Sequence, residues 1–122
     1  GKISIIAVDS LFKLNLDTYP IKQWGKTIAE AIGEIVGRLV DEQMVKSLVI
    51  TGGDTALHVL NALKAKGIDL EEEVLPGIPL GRLIGGKASD IPVITKAGGF
   101  GTPTALLEVI QHLQTKEKTR VC

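Results

Sequence analysis

A chain of 122 residues is long enough to bury the core of one domain, and its 14 basic and 14 acidic side chains leave no net charge to draw a nucleic acid or an anionic membrane. The single cysteine, Cys122, has no partner for an intrachain disulfide, which fits a reducing compartment and makes the cytoplasm the expected location. The apolar opening is interrupted by Asp9 too early for a signal peptide or a membrane span.

Residues 3–8 form an Ile-rich run suited to a first, buried strand. The chain starts on Gly1 directly before that run, as a piece cut from a longer polypeptide would. Its 44% apolar content also predicts a surface that docks on something else. Residues 9–20, with Asp9, Ser10, Asn15, Asp17 and Pro20, read as a connection. Over 21–43 the apolar positions Trp24, Ile28, Ile32, Ile35 and Leu39 recur at spacings of three and four. This predicts a long helix burying that face, with Lys26, Glu30, Glu34, Arg38 and Asp41 on the other. Gly33 and Gly37 each cost about 1 kcal/mol of helix propensity against Ala, so close packing against a sheet is expected there. The membrane reading of this GxxxG spacing fails because the helix is full of charge.

Leu48-Val49-Ile50 predicts a second strand, which stops at Thr51-Gly52-Gly53-Asp54-Thr55 and becomes a helix over 54–66. Ala56, Leu57, Val59, Leu60 and Leu63 give that helix its apolar pattern, and Gly67 reads as its C′ residue. Residues 68–75 and 80–84 predict two strands about the turn Pro76-Gly77-Ile78-Pro79. Glu71-Glu72-Glu73 makes the first of them exposed or an edge. Residues 91–95 read as the last strand, Lys96-Ala97-Gly98-Gly99-Phe100-Gly101 as a second glycine-rich turn, and 103–114 as the last helix. Thr102 is its expected N-cap and Pro103 its N1 residue. From Thr115 onward the charged tail is expected to fray.

Strands alternating with helices predict one layered α/β domain over residues 1–122, with a largely parallel or mixed sheet and helices on its faces. Ligands of such sheets gather at the carboxyl ends of strands. Both glycine-rich turns end a strand and open a helix, so they are placed to line one crevice. Outward N–H groups backed by a helix dipole suit phosphate or another anion.

Three other motifs fail. Gly25-Lys26-Thr27 lacks the glycine a P-loop needs upstream, where Pro20 stands instead. No GxGxxG follows a strand, which argues against a nicotinamide cofactor. His58 and His112 sit in helical patterns without Cys, Asp or Glu at ligand spacing, so no metal site is predicted.

Three blocks together carry a resemblance. Thr51-Gly52-Gly53-Asp54-Thr55-Ala56, the stretch from Glu73 through Pro76-Gly77-Ile78-Pro79 to Gly85-Gly86, and Val93-Ile94-Thr95-Lys96-Ala97-Gly98-Gly99-Phe100-Gly101 resemble, in order and spacing, the C-terminal nucleotide-binding domain of the four-carbon acid sugar kinases. The form of the first and third blocks is closer to the D-threonate and D-erythronate kinase branch. The resemblance covers 45–113 well and the first third by pattern alone. It implies a two-domain kinase in which this domain binds ATP with Mg2+, while a missing N-terminal domain holds the acid sugar and supplies the catalytic base. The isolated piece is then expected to be inactive. It implies nucleotide contacts by Gly52, Gly53, Asp54 and Thr55 in the first loop and by Gly98, Gly99 and their neighbour Lys96 in the second.

Plainer readings stand beside these. Asp54 or Thr55 also suits a helix N-cap, Lys96 the end of an apolar strand, and Pro76-Gly77-Ile78-Pro79 and Gly85-Gly86 a rigid turn and a loop. Arg82 has no assigned role. Trp24 and Phe100 read as core residues before adenine-stacking ones. The rival to a kinase domain is a non-catalytic α/β module that binds a phosphorylated metabolite.

Overall fold

A strand exists only where a neighbour completes its ladder, and among the described residues the sheet has four members. The computed structural model describes residues 3–7, 21–99 and 101–120, with 21–26 and 117–120 described by backbone alone. Along the chain lie α1 (Ile21–Asp41), β1 (Leu48–Thr51), α2 (Gly53–Ala62), β2 (Gly67–Leu75), β3 (Ile78–Ile84), β4 (Pro92–Lys96) and α3 (Ala105–Arg120). The sheet order is β1-β4-β3-β2, with β1 and β4 parallel and both other pairs antiparallel.

The sheet is therefore mixed, and connection length explains why. Pro76-Gly77 closes β2 onto β3 through the pair Leu75↔Ile78, a two-residue turn that permits only an antiparallel return. Gly77 takes φ 77°, as position i+2 of a type II turn requires, and its N–H donates to Glu73 Oε1 at 2.6 Å. Residues 85–91, between β3 and β4, are too few for a crossover. Only the β1–β4 pair, with a helix and a hairpin between its strands, can be parallel.

Side-chain alternation along the sheet produces two cores. Ile50, Leu83 and Val93 face Val36 and Val40 of α1, Val59 of α2 and Leu63 at the C-cap of α2. Their neighbours Leu80 and Ile94 turn the other way and join Ile78 with Ala105, Val109 and Leu113 of α3. Full burial of a Val, Leu or Ile side chain contributes about 1.5–3 kcal/mol, so both helical layers are held chiefly by apolar burial. The three layers agree with the expected α/β architecture.

Several local expectations need correction. Residues 3–7 form no strand, and Ile5 is 81% exposed; the composition favours β structure, but no strand among the described residues pairs with it. Val8 and the connection over 9–20 lie outside the described residues. The buried face of α1 runs through Ala29, Gly33, Val36, Gly37 and Val40, while Ile35 is exposed. Small residues own that face because α1 packs on α2: a Cβ on Gly33 would lie 2.7 Å from His58 O, whereas one on Gly37 would meet Ala62 O at 3.9 Å. The close partner of these glycines is thus α2, not the sheet.

The other helix ends shift too. α2 ends at Ala62, with Lys64 in the left-handed region at φ 56°, and Gly67 begins β2 instead of capping the helix. α3 starts at Ala105, two residues after Pro103, and continues past Thr115 to Arg120. What anchors its second half is Glu72 on β2, which receives His112 Nε2 at 2.9 Å and the Lys116 ammonium group. These partners hold the Glu72 carboxyl below the usual carboxylate range, Lys116 contributing most and His112 next.

Candidate nucleotide site

Because β1 and β4 are adjacent and parallel, their carboxyl ends reach the same rim of the sheet, with Thr51 opposite Lys96. The Gly52 N–H donates to Lys96 O at 2.8 Å, so the ladder continues one step into the loops and joins them. A Cβ built on Gly98 would lie 4.0 Å from Gly52 Cα. The two glycine-rich turns thus share one rim, as the strand ends predict.

The first loop opens α2 without a side-chain cap. Gly52 is the N-cap residue at φ 95° and ψ 128°, a conformation that favours glycine, and its carbonyl accepts the Ala56 N–H. Neither Asp54 nor Thr55 caps the helix; they follow Gly53 inside its first turn, which corrects the capping expectation. The first N–H groups of α2 have no carbonyl of a preceding turn to bond, so they remain available at this rim. Asp54 is exposed there, and Thr55 Oγ1 lies 3.6 Å from where a Gly52 Cβ would be.

In the second loop, Lys96 is half-buried and its ammonium group folds back over the turn. Nζ donates to Ala97 O at 3.0 Å and to Gly98 O at 3.2 Å. Gly101 takes φ 93° and approaches both Ala105, the first residue of α3, and the Lys96 stem. Phe100 lies outside the described residues, as does the side chain of Trp24. A Cβ on Gly53 or Gly99 would meet nothing within 4 Å, and one on Gly98 only Gly52 Cα. The fold itself would accept side chains at these three places, and their absence leaves bare backbone facing outward.

The remaining candidates lie elsewhere. Arg82 pairs across from Pro92, at the opposite end of β4 from Lys96, where Nε donates to Glu71 Oε1 at 2.6 Å and Nη1 to Asp90 O at 2.9 Å. Its role there is to tie β2 and the 85–91 loop to β3. Gly86 packs under the end of α2, where Leu63 O and Lys64 O leave no room for a Cβ. No group of His, Cys, Asp and Glu suited to a metal occurs among the described residues. No described helix is long and apolar enough to cross a membrane.

Sequence patterning counted Leu57 into the buried face of α2, but it is 56% exposed. Leu106 and Leu107, at the start of α3, are exposed as well. All three stand near the beginnings of the helices that leave the glycine loops. Helical spacing gave no sign of this, since it cannot tell which apolar residues exceed what one face can cover.

Two backbone-lined loops at adjoining parallel strand ends of a mixed α/β layer are suited to an anion or a nucleotide. Residues 5–106 match the family of nucleotide-binding C-terminal domains, and the chain belongs to that family. It is 41% identical over 93% of its length to a D-threonate kinase of Bordetella bronchiseptica, covering 28% of that protein. It is 34% identical to the D-threonate kinase of Salmonella typhimurium, over 76% of this chain and 22% of that one. With the D-erythronate kinase of Heliobacterium modesticaldum it shares 37% identity, over 73% of this chain and 21% of that one. The chain thus spans about a quarter of the length of these curated relatives. Two crystal forms of a Bordetella bronchiseptica protein of unknown function, a domain-swapped dimer with bound citrate, superpose with TM-scores of 0.66 and 0.68. Both are 48% identical to this chain, covering 69% and 70% of it and 21% of the solved chain.

Proposed function

We propose that this chain is the ATP-binding part of a cytoplasmic kinase that phosphorylates a hydroxyl of a small four-carbon acid sugar of the D-threonate or D-erythronate type. The observation that carries the reading is the hydrogen bond between Gly52 N–H and Lys96 O, which makes two glycine loops one rim. Gly52, Gly53, Asp54 and Thr55 on one side and Lys96, Gly98 and Gly99 on the other form the cradle. Bare backbone at Gly53, Gly98 and Gly99 lets phosphate or ribose approach N–H groups closely, and the α2 dipole favours the anion.

The residues also fit a nucleotide arriving with Mg2+. That ion usually keeps most of its waters and takes one or two carboxylates besides the phosphates, and Asp54 offers an exposed carboxylate at the loops. ATP supplies the phosphoryl group; the part of this chain is to bind and orient it, since kinases work mainly by positioning and charge stabilisation. The acid sugar belongs to a separate N-terminal domain, in keeping with the fraction of the relatives' length that this chain spans. Calorimetric titration with ATP and, separately, with sugar phosphates tests the reading. Saturable ATP binding that Gly98→Val weakens supports it, and preference for a sugar phosphate over ATP would replace it with a metabolite-binding module.

A further inference from the structure

We infer that Lys96 is a positioning residue of the nucleotide rim, one that aims backbone donors of the second loop instead of meeting a phosphate itself. The inference rests on the proposed nucleotide site but is argued from the unliganded loop. Two of the three donors of the ammonium group are engaged by Ala97 O and Gly98 O. A trans peptide is planar, with its C=O and the following N–H pointing in opposite directions, and no described peptide bond is cis. Drawing Ala97 O and Gly98 O towards Nζ therefore turns the N–H groups of Gly98 and Gly99 away from Lys96. Neither N–H makes a hydrogen bond among the described residues.

Among the described residues no other hydrogen bond or packed side chain sets these two peptide planes. Gly98 and Gly99 carry no side chain, and a Cβ on either would meet at most one backbone atom at 4.0 Å. Glycine is also the residue with the most conformational freedom to lose. Lys96 supplies the missing constraint from three directions. Its backbone carbonyl is fixed by Gly52, its stem passes 3.4 Å from where a Gly101 Cβ would be, and its ammonium group grips the turn between them. Two adjacent N–H groups turned away from the ammonium group offer an anion two backbone donors. The cation behind them adds to their positive potential without contacting the anion.

Lys96→Met keeps the stem and removes the donors, while Lys96→Gln keeps a neutral donor that can hold one carbonyl. The first measurement uses the nucleotide-free protein, with 15N relaxation at Gly98 and Gly99. In the wild type both amides should be as ordered as those of β4. In the Met variant their order parameters should fall below about 0.6, with the Gln variant between. The second measurement is affinity for ATP, ADP and AMP. Positioning predicts a loss of about tenfold that is the same for all three, with partial recovery in the Gln variant. A direct phosphate contact instead predicts a loss that grows from AMP to ATP, with Gln as poor as Met. Unchanged loop order in the Met variant, or that graded loss, would overturn the inference. A wild-type protein that binds no nucleotide would overturn the proposed function alone, and the relaxation data would still decide whether Lys96 fixes the loop. Should the Met variant fail to fold, the Gln variant carries both measurements.

Discussion

The Gly52 N–H reaches Lys96 O at 2.8 Å, so the last ladder bond of the β1–β4 pair is also the bond that fastens one glycine loop to the other. Sheet formation and site formation are thus the same event at this rim. A loop that depended on its own few contacts would have to be ordered at the moment of binding, at a cost in conformational entropy. Here, burial of Ile50, Val93 and Ile94 behind the strands has already fixed both anchors.

Gly98→Val should lower affinity for ATP while leaving the melting temperature nearly unchanged. Gly98 is not in the left-handed region, and the nearest atom to a Cβ there is Gly52 Cα at 4.0 Å, so the fold accepts the side chain. Gly52→Val is the contrasting case: at φ 95° it adds strain on the order of 1–3 kcal/mol, visible as a lower melting temperature without any nucleotide. Equal thermal losses in the two variants would show that the second loop is glycine-rich for reasons of fold.

Gly33→Ala and Gly37→Ala form a matched pair on α1. Each gains about 1 kcal/mol of helix propensity, but the new methyl at 33 lies 2.7 Å from the His58 backbone carbonyl, and forcing packed elements apart costs about 1–3 kcal/mol. At 37 the nearest atom is 3.9 Å away, an ordinary contact. Urea unfolding should therefore show the first substitution lowering the midpoint and the second raising it. A stabilised Gly33→Ala protein would mean that α1 and α2 are packed less closely than this.

Which of these features sequence could foretell follows from the range over which each is decided. The strand-to-helix turns at 51–55 and 96–101 are local, set by glycines next to apolar runs, and both stand where the pattern put them. The partner of a face is not local. Trp24, Ile28, Ile32, Ile35 and Leu39 make a good helical stripe, yet the contact with α2 selects the neighbouring stripe of Gly33, Val36, Gly37 and Val40. Residues 3–7 have strand composition without a strand because pairing is a property of two segments. The second half of α3 was lost to sequence reading for a similar reason: the acid that holds it, Glu72, lies on β2, 40 residues from His112.

That anchor has a pH signature whose sign is fixed. The Glu72 carboxyl is held below its ordinary value of 4.5 by Lys116 first and His112 second, so its contribution to stability is fully present above 4.5 and disappears as pH falls through the lower folded value. Side chains this exposed contribute little in absolute terms, and salt weakens them further. The comparison of wild type with Glu72→Gln isolates the effect. Their melting temperatures should differ at neutral pH in low salt and converge in the acid limb below 4.5. A difference that persists at the acid end, where the carboxyl is protonated, would point to packing instead of charge.

The chain alone should bind nucleotide weakly and transfer no phosphoryl group to an acid sugar. In-line transfer requires the acceptor hydroxyl to be held against the terminal phosphate, and such alignment accounts for about 7–11 kcal/mol of a barrier. The proposed cradle of Lys96, Gly52, Gly53, Gly98 and Gly99 would hold one reactant from one side, and this chain covers only 21–28% of its relatives. An open rim also leaves bound phosphates facing water, where each electrostatic contact is worth less than in a closed site. Leu57, Leu106 and Leu107 are exposed near the starts of the helices that leave the loops, where a second domain closing the proposed cleft would cover them. Incubation of the purified chain with ATP, Mg2+ and D-threonate or D-erythronate should give no ADP above a control without acceptor. Adding the N-terminal part as a separate polypeptide should raise turnover and tighten ATP binding together. Acceptor-dependent turnover by the chain alone would place the sugar site within these 122 residues and rule out the division of labour between two domains.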